Sequence, residues 1–114
     1  MDEYNRLEGE RFYIVSCSRE VNGREQGDRA LGYEVLKGCK LGDAERKFKE
    51  FVGIMKARKL IGRVRLEIGT RIREEGKDLN IPLYELASQY VGAGRKGSRM
   101  FLSVRDAEKG VENG

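Results

Sequence analysis

The chain has 114 residues, of which 39% are hydrophobic and 37% are charged, and it contains no histidine. This length suits one domain with one core, and the absence of histidine excludes triads, metal sites and acid–base catalysis that depend on imidazole. No apolar run approaches the length of a membrane span and no secretory leader is evident. We therefore expect a cytoplasmic protein that has no membrane partner, is not an enzyme and takes no cofactor or metal.

The two cysteines, Cys17 and Cys39, are too few for a disulfide framework and lack the spacing of a zinc site. We expect both to be small buried residues with free thiols. A disulfide between them stays open as an alternative, because the composition, rich in Lys, Arg and Glu, leans towards that of a thermophile.

Charge is distributed unevenly along the chain. Residues 1 to 42 carry seven basic and eight acidic residues, residues 43 to 105 carry fifteen and eight, and residues 106 to 114 carry one and three. Residues 1 to 10 and 106 to 114 are polar and aperiodic, which predicts flexible tails around a single α+β domain at residues 11 to 105. The basic middle of the chain is typical of a protein that presents a positive face to a polyanion.

The first half of the domain predicts two strands and a helix. Residues 11 to 17 are β-branched or aromatic and apolar on both faces, which predicts a central strand. Residues 30 to 37 predict a second strand paired with it as a hairpin, with a short helix from Asp28 as the alternative. A helix is predicted from Asp43, as its N-cap, to Leu60, because apolar residues recur there at helical spacing.

The second half predicts a strand, a helix and a final strand. In residues 63 to 73 apolar side chains alternate with four arginines, which is strand periodicity. A helix is predicted over residues 81 to 91, with Pro82 in its first turn, and a strand over residues 99 to 105. The order ββαβαβ predicts a two-layer α+β sandwich, with a mostly antiparallel sheet of about four strands and both helices on one face.

The functional hypothesis rests on the arginines that alternate with apolar residues in the strands predicted at residues 63 to 73 and 99 to 105. If the two arginine-bearing strands share a sheet, the face away from the helices presents a basic surface around an aromatic ring, and the glycine-rich loop at residues 92 to 98 adds two cations. Cations among aromatic rings bind phosphates while bases stack, which favours single-stranded DNA or RNA without sequence preference. The predicted binding residues are Arg63, Arg65, Arg71, Arg73, Arg95, Lys96, Arg99, Phe101, Arg105 and Tyr13.

Two other classes of function stay open. An interaction or assembly protein, such as a homodimer formed along an exposed edge strand, would use the arginines to meet acidic partners. A helix-turn-helix regulator would require a helix from about Leu83 and a recognition helix over residues 95 to 105. If the arginine face binds nucleic acid, the affinity should fall steeply with salt.

Overall fold

A six-stranded antiparallel sheet forms the centre of the computed structural model, which describes residues 10–92, 98–100 and 104–113. The elements in chain order are β1 (Arg11–Val21), β2 (Arg24–Gly27), β3 (Tyr33–Leu36), α1 (Leu41–Ala57), β4 (Gly62–Glu74), β5 (Lys77–Val91), β6 (Arg99–Met100) and α2 (Val104–Asn113). The predicted α+β class and the mostly antiparallel sheet are confirmed, whereas the number and order of strands differ from the prediction. No helix among the described residues is long and apolar enough to cross a membrane.

Strand β1 is central, as its apolar residues on both faces predicted. It pairs with β4 without interruption from Arg11 opposite Thr70 to Arg19 opposite Gly62. Its other edge is shared by β2 and β3, which pair with successive parts of it. A two-residue turn at Asn22 and Gly23, both with positive φ, joins β1 to β2, and this turn type matches the twist of a hairpin.

Strand β3 pairs antiparallel with β1, as predicted for residues 30 to 37, but it is shorter and does not form a hairpin with β1, because β2 lies between them in the chain. It covers four residues and pairs with Tyr13 to Ser16. The alternative of a short helix from Asp28 is wrong, because residues 29 to 31 form a turn in which Asp28 Oδ1 accepts a hydrogen bond from the Leu31 N–H at 3.1 Å.

Helix α1 begins at Leu41, two residues before the predicted start. Asp43 is therefore the third helical residue and not the N-cap, and its carboxylate accepts a hydrogen bond from the backbone N–H of Lys40 at 3.2 Å. The predicted apolar stripe packs on the sheet and forms the core with buried residues of β1 and β4. The buried helix residues are Leu41, Ala44, Phe48, Phe51, Val52 and Met55.

The predicted helix over residues 81 to 91 is wrong, because this segment belongs to strand β5. β5 pairs with β4 along its whole length, but the register shifts twice, leaving Leu86 and Leu83 as extra residues. Each β-bulge moves the following side chains to the other face, so the strict alternation of a strand is broken. The resulting spacing of Leu83, Leu86 and Ala87 imitates one face of a helix, and Pro82 is tolerated beside a bulge.

The predicted strand over residues 99 to 105 is confirmed only in part: its described residues form a short strand and the start of a helix. Arg99 and Met100 form a strand, β6, which pairs with Ser88 and Ala87 of β5. Helix α2 follows from Val104, so Arg105 lies on a helix and not in a strand. Ala107, which we expected in a flexible tail, is fully buried in the same core as α1. Helix α2 therefore contributes a residue to this core.

The cysteines are free, as expected. Cys17 is buried in the core, and Cys39 is half-buried, with its thiol 3.4 Å from the carbonyl oxygen of Lys37. The disulfide alternative is wrong.

Candidate functional site

The sheet face opposite α1, which we call the polar face, is formed by residues of all six strands. Pairing places Arg63 of β4 between Ser18 and Tyr90, and Arg65 between Ser16 and Ser88. The polar face comprises Ser16, Ser18, Glu20, Glu25, Tyr33, Arg63, Arg65, Glu67, Glu85, Ser88, Tyr90 and Arg99. Arg71 and Arg73 continue the same row of β4 but lie beyond Gly69, exposed near the turn into β5.

Arg65 is at the centre of a hydrogen-bonded network on the polar face. Its guanidinium donates to Glu25 of β2 and to the Ser18 hydroxyl at 3.4 Å. On the other side, its Nε atom lies 3.7 Å from Oε1 of Glu85 on β5. The network thus joins β2, β1, β4 and β5 across the sheet.

The other two arginines of the polar face surround the same region. Arg63 Nη1 donates to the Ser88 hydroxyl at 3.0 Å. Arg99 Nη1 lies 3.6 Å from Oε2 of Glu85, and its side chain is 65% exposed. Glu85 is therefore shared between Arg65 and Arg99.

The acidic members of the network were missed by the sequence analysis. Only Glu67 shares the arginine row of β4, whereas Glu20, Glu25 and Glu85 come from neighbouring strands. The Asn22-Gly23 hairpin signal could have placed Glu25 opposite Glu20, but the bulged register of β5 leaves no local signal for Glu85. The polar face is consequently less basic than its arginines alone predict.

The network shifts the pKa values of its members. The hydrogen bond from Arg65 lowers the pKa of Glu25, which stays ionised at neutral pH, and the same contact raises the pKa of Arg65. Burial raises the pKa of Glu67, and the neighbouring Glu85 raises it further, against an opposing effect of Arg65. Glu67 lies directly opposite Glu85 in the sheet, so two carboxylates are adjacent there.

An open depression, which we call the anion depression, lies among the three arginines. It has a volume of about 380 Å³ and is lined by Arg63, Arg65, Glu85, Ser88, Ser98 and Arg99. Three guanidinium groups and two hydroxyls face one carboxylate, so the depression has a net positive charge. Guanidinium and hydroxyl groups are the usual ligands of phosphate oxygens.

No protein-family model, curated protein or solved structure matches this chain. Its function therefore has to be inferred from the chemistry of the polar face. Among the residues that the structure describes, no group of three or more Cys, Asp or Glu could hold a metal ion.

Of the remaining predicted binding residues, the structure places Tyr13 and Arg105 away from the anion depression. Tyr13 faces α1 and is only 1% exposed, because the residue of β1 that shares the arginine face at this point is its neighbour Phe12. Phe12 is itself buried, with Lys37 over its ring at 5.6 Å. Arg105 is on α2, and the predicted contributions of Arg95, Lys96 and Phe101 lie outside the described residues.

Two other aromatic residues lie on the polar face instead. Tyr90 is half-buried beside Arg63, whose guanidinium carbon is 5.8 Å from the ring centroid, and its hydroxyl donates to Glu20 at 2.6 Å. Tyr33 is half-buried under the guanidinium of Arg29, at 4.3 Å. Both pairs combine an aromatic ring with a cation. The sequence analysis expected such pairs on this face, but from other aromatic residues.

Proposed function

We propose that the protein binds nucleic acid through the polar face, with a preference for single strands and without catalysing a reaction. The observation that carries this proposal is the convergence of Arg63, Arg65 and Arg99 on one open depression. A shallow site on a sheet face can bind one phosphate of an extended nucleic-acid strand, because the strand can continue beyond the site in both directions. Ser88 and Ser98 supply neutral donors for the same oxygens.

The preference for single strands is supported by the aromatic residues. Tyr90 lies beside Arg63, which lines the anion depression, so an unpaired base can stack near a bound phosphate. Bases of a duplex are stacked on each other and present only their edges in the grooves. The sheet face is better supported than the helix-turn-helix alternative, because the segment of its first helix belongs to strand β5.

The proposal is tested by fluorescence anisotropy with a labelled single strand of mixed sequence and with the matching duplex. We expect tighter binding to the single strand. Arg99→Ala should weaken it by roughly fivefold, as expected for one charged contact of about 1 kcal/mol. Arg99 is suitable because it is exposed, and its loss leaves Arg65 to pair with Glu85.

The matched control is Arg46→Ala, which removes the same charge from an exposed arginine of α1, on the other side of the sheet. Its affinity should equal that of the wild type. Equal losses in both variants would show that net charge and not the depression drives binding. An absence of binding even at low salt would contradict the proposal.

A homodimer is the second candidate, and the outer edge of β5 favours it. Among the described residues β6 covers only Ala87 and Ser88 of this edge. Leu79 and Leu83 of the same strand are 40% and 38% exposed. An unpaired edge with apolar neighbours can add a strand from a second copy, and sedimentation velocity over a range of concentrations would detect the dimer.

A further inference from the structure

A second depression lies on the other side of Arg65, at a gap in the edge of the sheet. β2 and β3 both pair with β1 but leave Cys17 between them, where the loop at residues 28 to 32 crosses. The Cys17 N–H donates to the carbonyl of Gly32 at 2.9 Å, and the Asp28 N–H donates to the carbonyl of Cys17 at 3.0 Å. Both backbone polar groups of Cys17 therefore have hydrogen-bond partners at the gap. The gap is thus a regular part of the sheet.

This depression combines an aromatic ring with carboxylates. It has a volume of about 500 Å³, and its lining includes Ser18, Glu25, Asp28, Arg29, Tyr33 and the shared Arg65. Volumes of this order accommodate a nucleobase with its sugar. Because Arg65 also lines the anion depression, the two depressions are adjacent across one side chain.

Tyr33 supplies a stacking surface in the second depression. The guanidinium of Arg29 lies 4.3 Å from its ring centroid, so this face of the ring is directed at a polar side chain and not at the core. Arg29 is exposed and can move outwards. A base can then stack on the ring with Arg29 on its other side, an arrangement in which both neighbours favour a flat π-system.

Glu25 supplies an acceptor in the same depression. Its Oε1 atom accepts hydrogen bonds from Ser18 at 2.6 Å and from Arg65. Its Oε2 atom has no hydrogen-bond partner among the residues that the structure describes. An ionised carboxylate accepts at both oxygens and cannot donate, so it favours a ligand edge that carries adjacent donors.

We infer that the second depression is a nucleobase subsite selective for guanine, which stacks on Tyr33 and donates its N1–H and its exocyclic amino group to Glu25. This inference rests on the proposed nucleic-acid binding, and it places the phosphate of the same chain in the anion depression. Guanine alone among the common bases carries two neighbouring N–H donors on its Watson–Crick edge. Adenine, cytosine and uracil would each turn an acceptor towards the carboxylate.

The test uses labelled single strands that are identical except at one central position, which is guanine in the first and hypoxanthine in the second. Hypoxanthine keeps the N1–H and the shape of the purine but lacks the amino group. We expect wild-type protein to bind the guanine strand about tenfold more tightly, as the loss of one hydrogen bond to a charged acceptor predicts. The readout is the ratio of the two affinities, which does not depend on the overall strength of phosphate binding.

Glu25→Gln should reduce this ratio to about one, because an amide presents a donor to one of the two guanine donors. Glu34→Gln is the matched control: Glu34 lies next to Tyr33 on β3 but faces α1, where it pairs with Lys47 at 3.2 Å. Its ratio should be that of the wild type. Tyr33→Leu should weaken binding of both strands while some preference for guanine persists.

The outcomes separate this inference from the proposed function. A wild-type ratio near one with intact binding overturns the guanine subsite and leaves nucleic-acid binding in place. A ratio that persists in Glu25→Gln overturns the role of Glu25. If no strand binds at low salt, both the inference and the proposed function fail. The ratio of the two affinities in the wild-type protein alone decides whether the guanine subsite exists, even if a variant does not fold.

Discussion

Arg65 belongs to both depressions and to the hydrogen-bonded network of the polar face. It lines both depressions, donates to Glu25 on one side and lies close to Glu85 on the other. A bound phosphate must therefore compete with two carboxylates for this guanidinium. Because a buried or half-buried charge that loses its partner is costly, Arg65 is both a ligand-binding residue and a structural one. Variants of Arg99 and Glu25 separate these roles better than variants of Arg65 itself.

Glu67 predicts a stability effect that depends on pH. Its folded pKa is raised by burial and by Glu85, so the folded state binds the proton more tightly than the unfolded state. Ionised Glu67 thus costs stability at neutral pH, and this cost disappears as the pH falls through the raised pKa to the ordinary value of 4.5. Glu67→Gln should have a higher Tm than the wild type at pH 7, and the difference should shrink as the pH is lowered towards that value.

Thermal unfolding followed by circular dichroism over this pH range measures the difference directly. Glu74→Gln, an exposed change on the same strand, is the control and should show no such trend. The contact of Glu25, whose pKa is lowered from 4.5, weakens only below this range and is present in both the variant and the wild type, so the difference between them reports on Glu67. A difference that does not change with pH would contradict the assignment.

At the scale of elements, regular periodicity decided which parts of the fold could be predicted. β1, β4 and α1 have uninterrupted apolar patterns, and all three lie where the sequence analysis expected them. β5 was mistaken for a helix because two bulges shift its phase, and bulges depend on pairing with β4 and not on local propensity. The register between strands could not be predicted from the sequence either. Arg63 and Arg65 were assigned to one face from the alternation within β4, whereas Glu25 and Glu85 reach this face only through strand pairing.

The start of α1 gives a prediction at this scale. Asp43 accepts the Lys40 N–H at 3.2 Å and lies 2.8 Å from Arg46 Nη2, and its charge lies in the first turn, where the helix dipole favours anions. Asp43→Ala should lower the free energy of unfolding by about 1 kcal/mol. Asp43→Asn should lose less, because its amide oxygen still accepts the backbone N–H. Urea unfolding measures both values, and an unchanged midpoint in Asp43→Ala would contradict this role of Asp43.

For the whole molecule, the basic charge is not concentrated on the polar face. Among the residues that the structure describes, three arginines of this face are accompanied by four glutamates, although the chain carries a formal net charge of +4. The alternating arginines of β4 predicted a strongly cationic surface, but pairing with β1, β2 and β5 brings acids to it. Binding that depends on the anion depression therefore involves few phosphates.

This balance predicts a shallow salt dependence in place of the steep one expected from the arginine rows. For single strands, each phosphate contact contributes about 0.7 to the slope of log affinity against log salt, so three contacts predict a slope of about −2. Arg99→Ala should reduce its magnitude by about 0.7, and Arg46→Ala should not change it. Anisotropy titrations between about 50 and 200 mM salt measure the slope.

A slope near −4 would require about six contacts, more than the three guanidinium groups of the depression can supply, and would place further cations in the interface. A slope near −2 that Arg99→Ala reduces would instead assign the electrostatic part of binding to the anion depression.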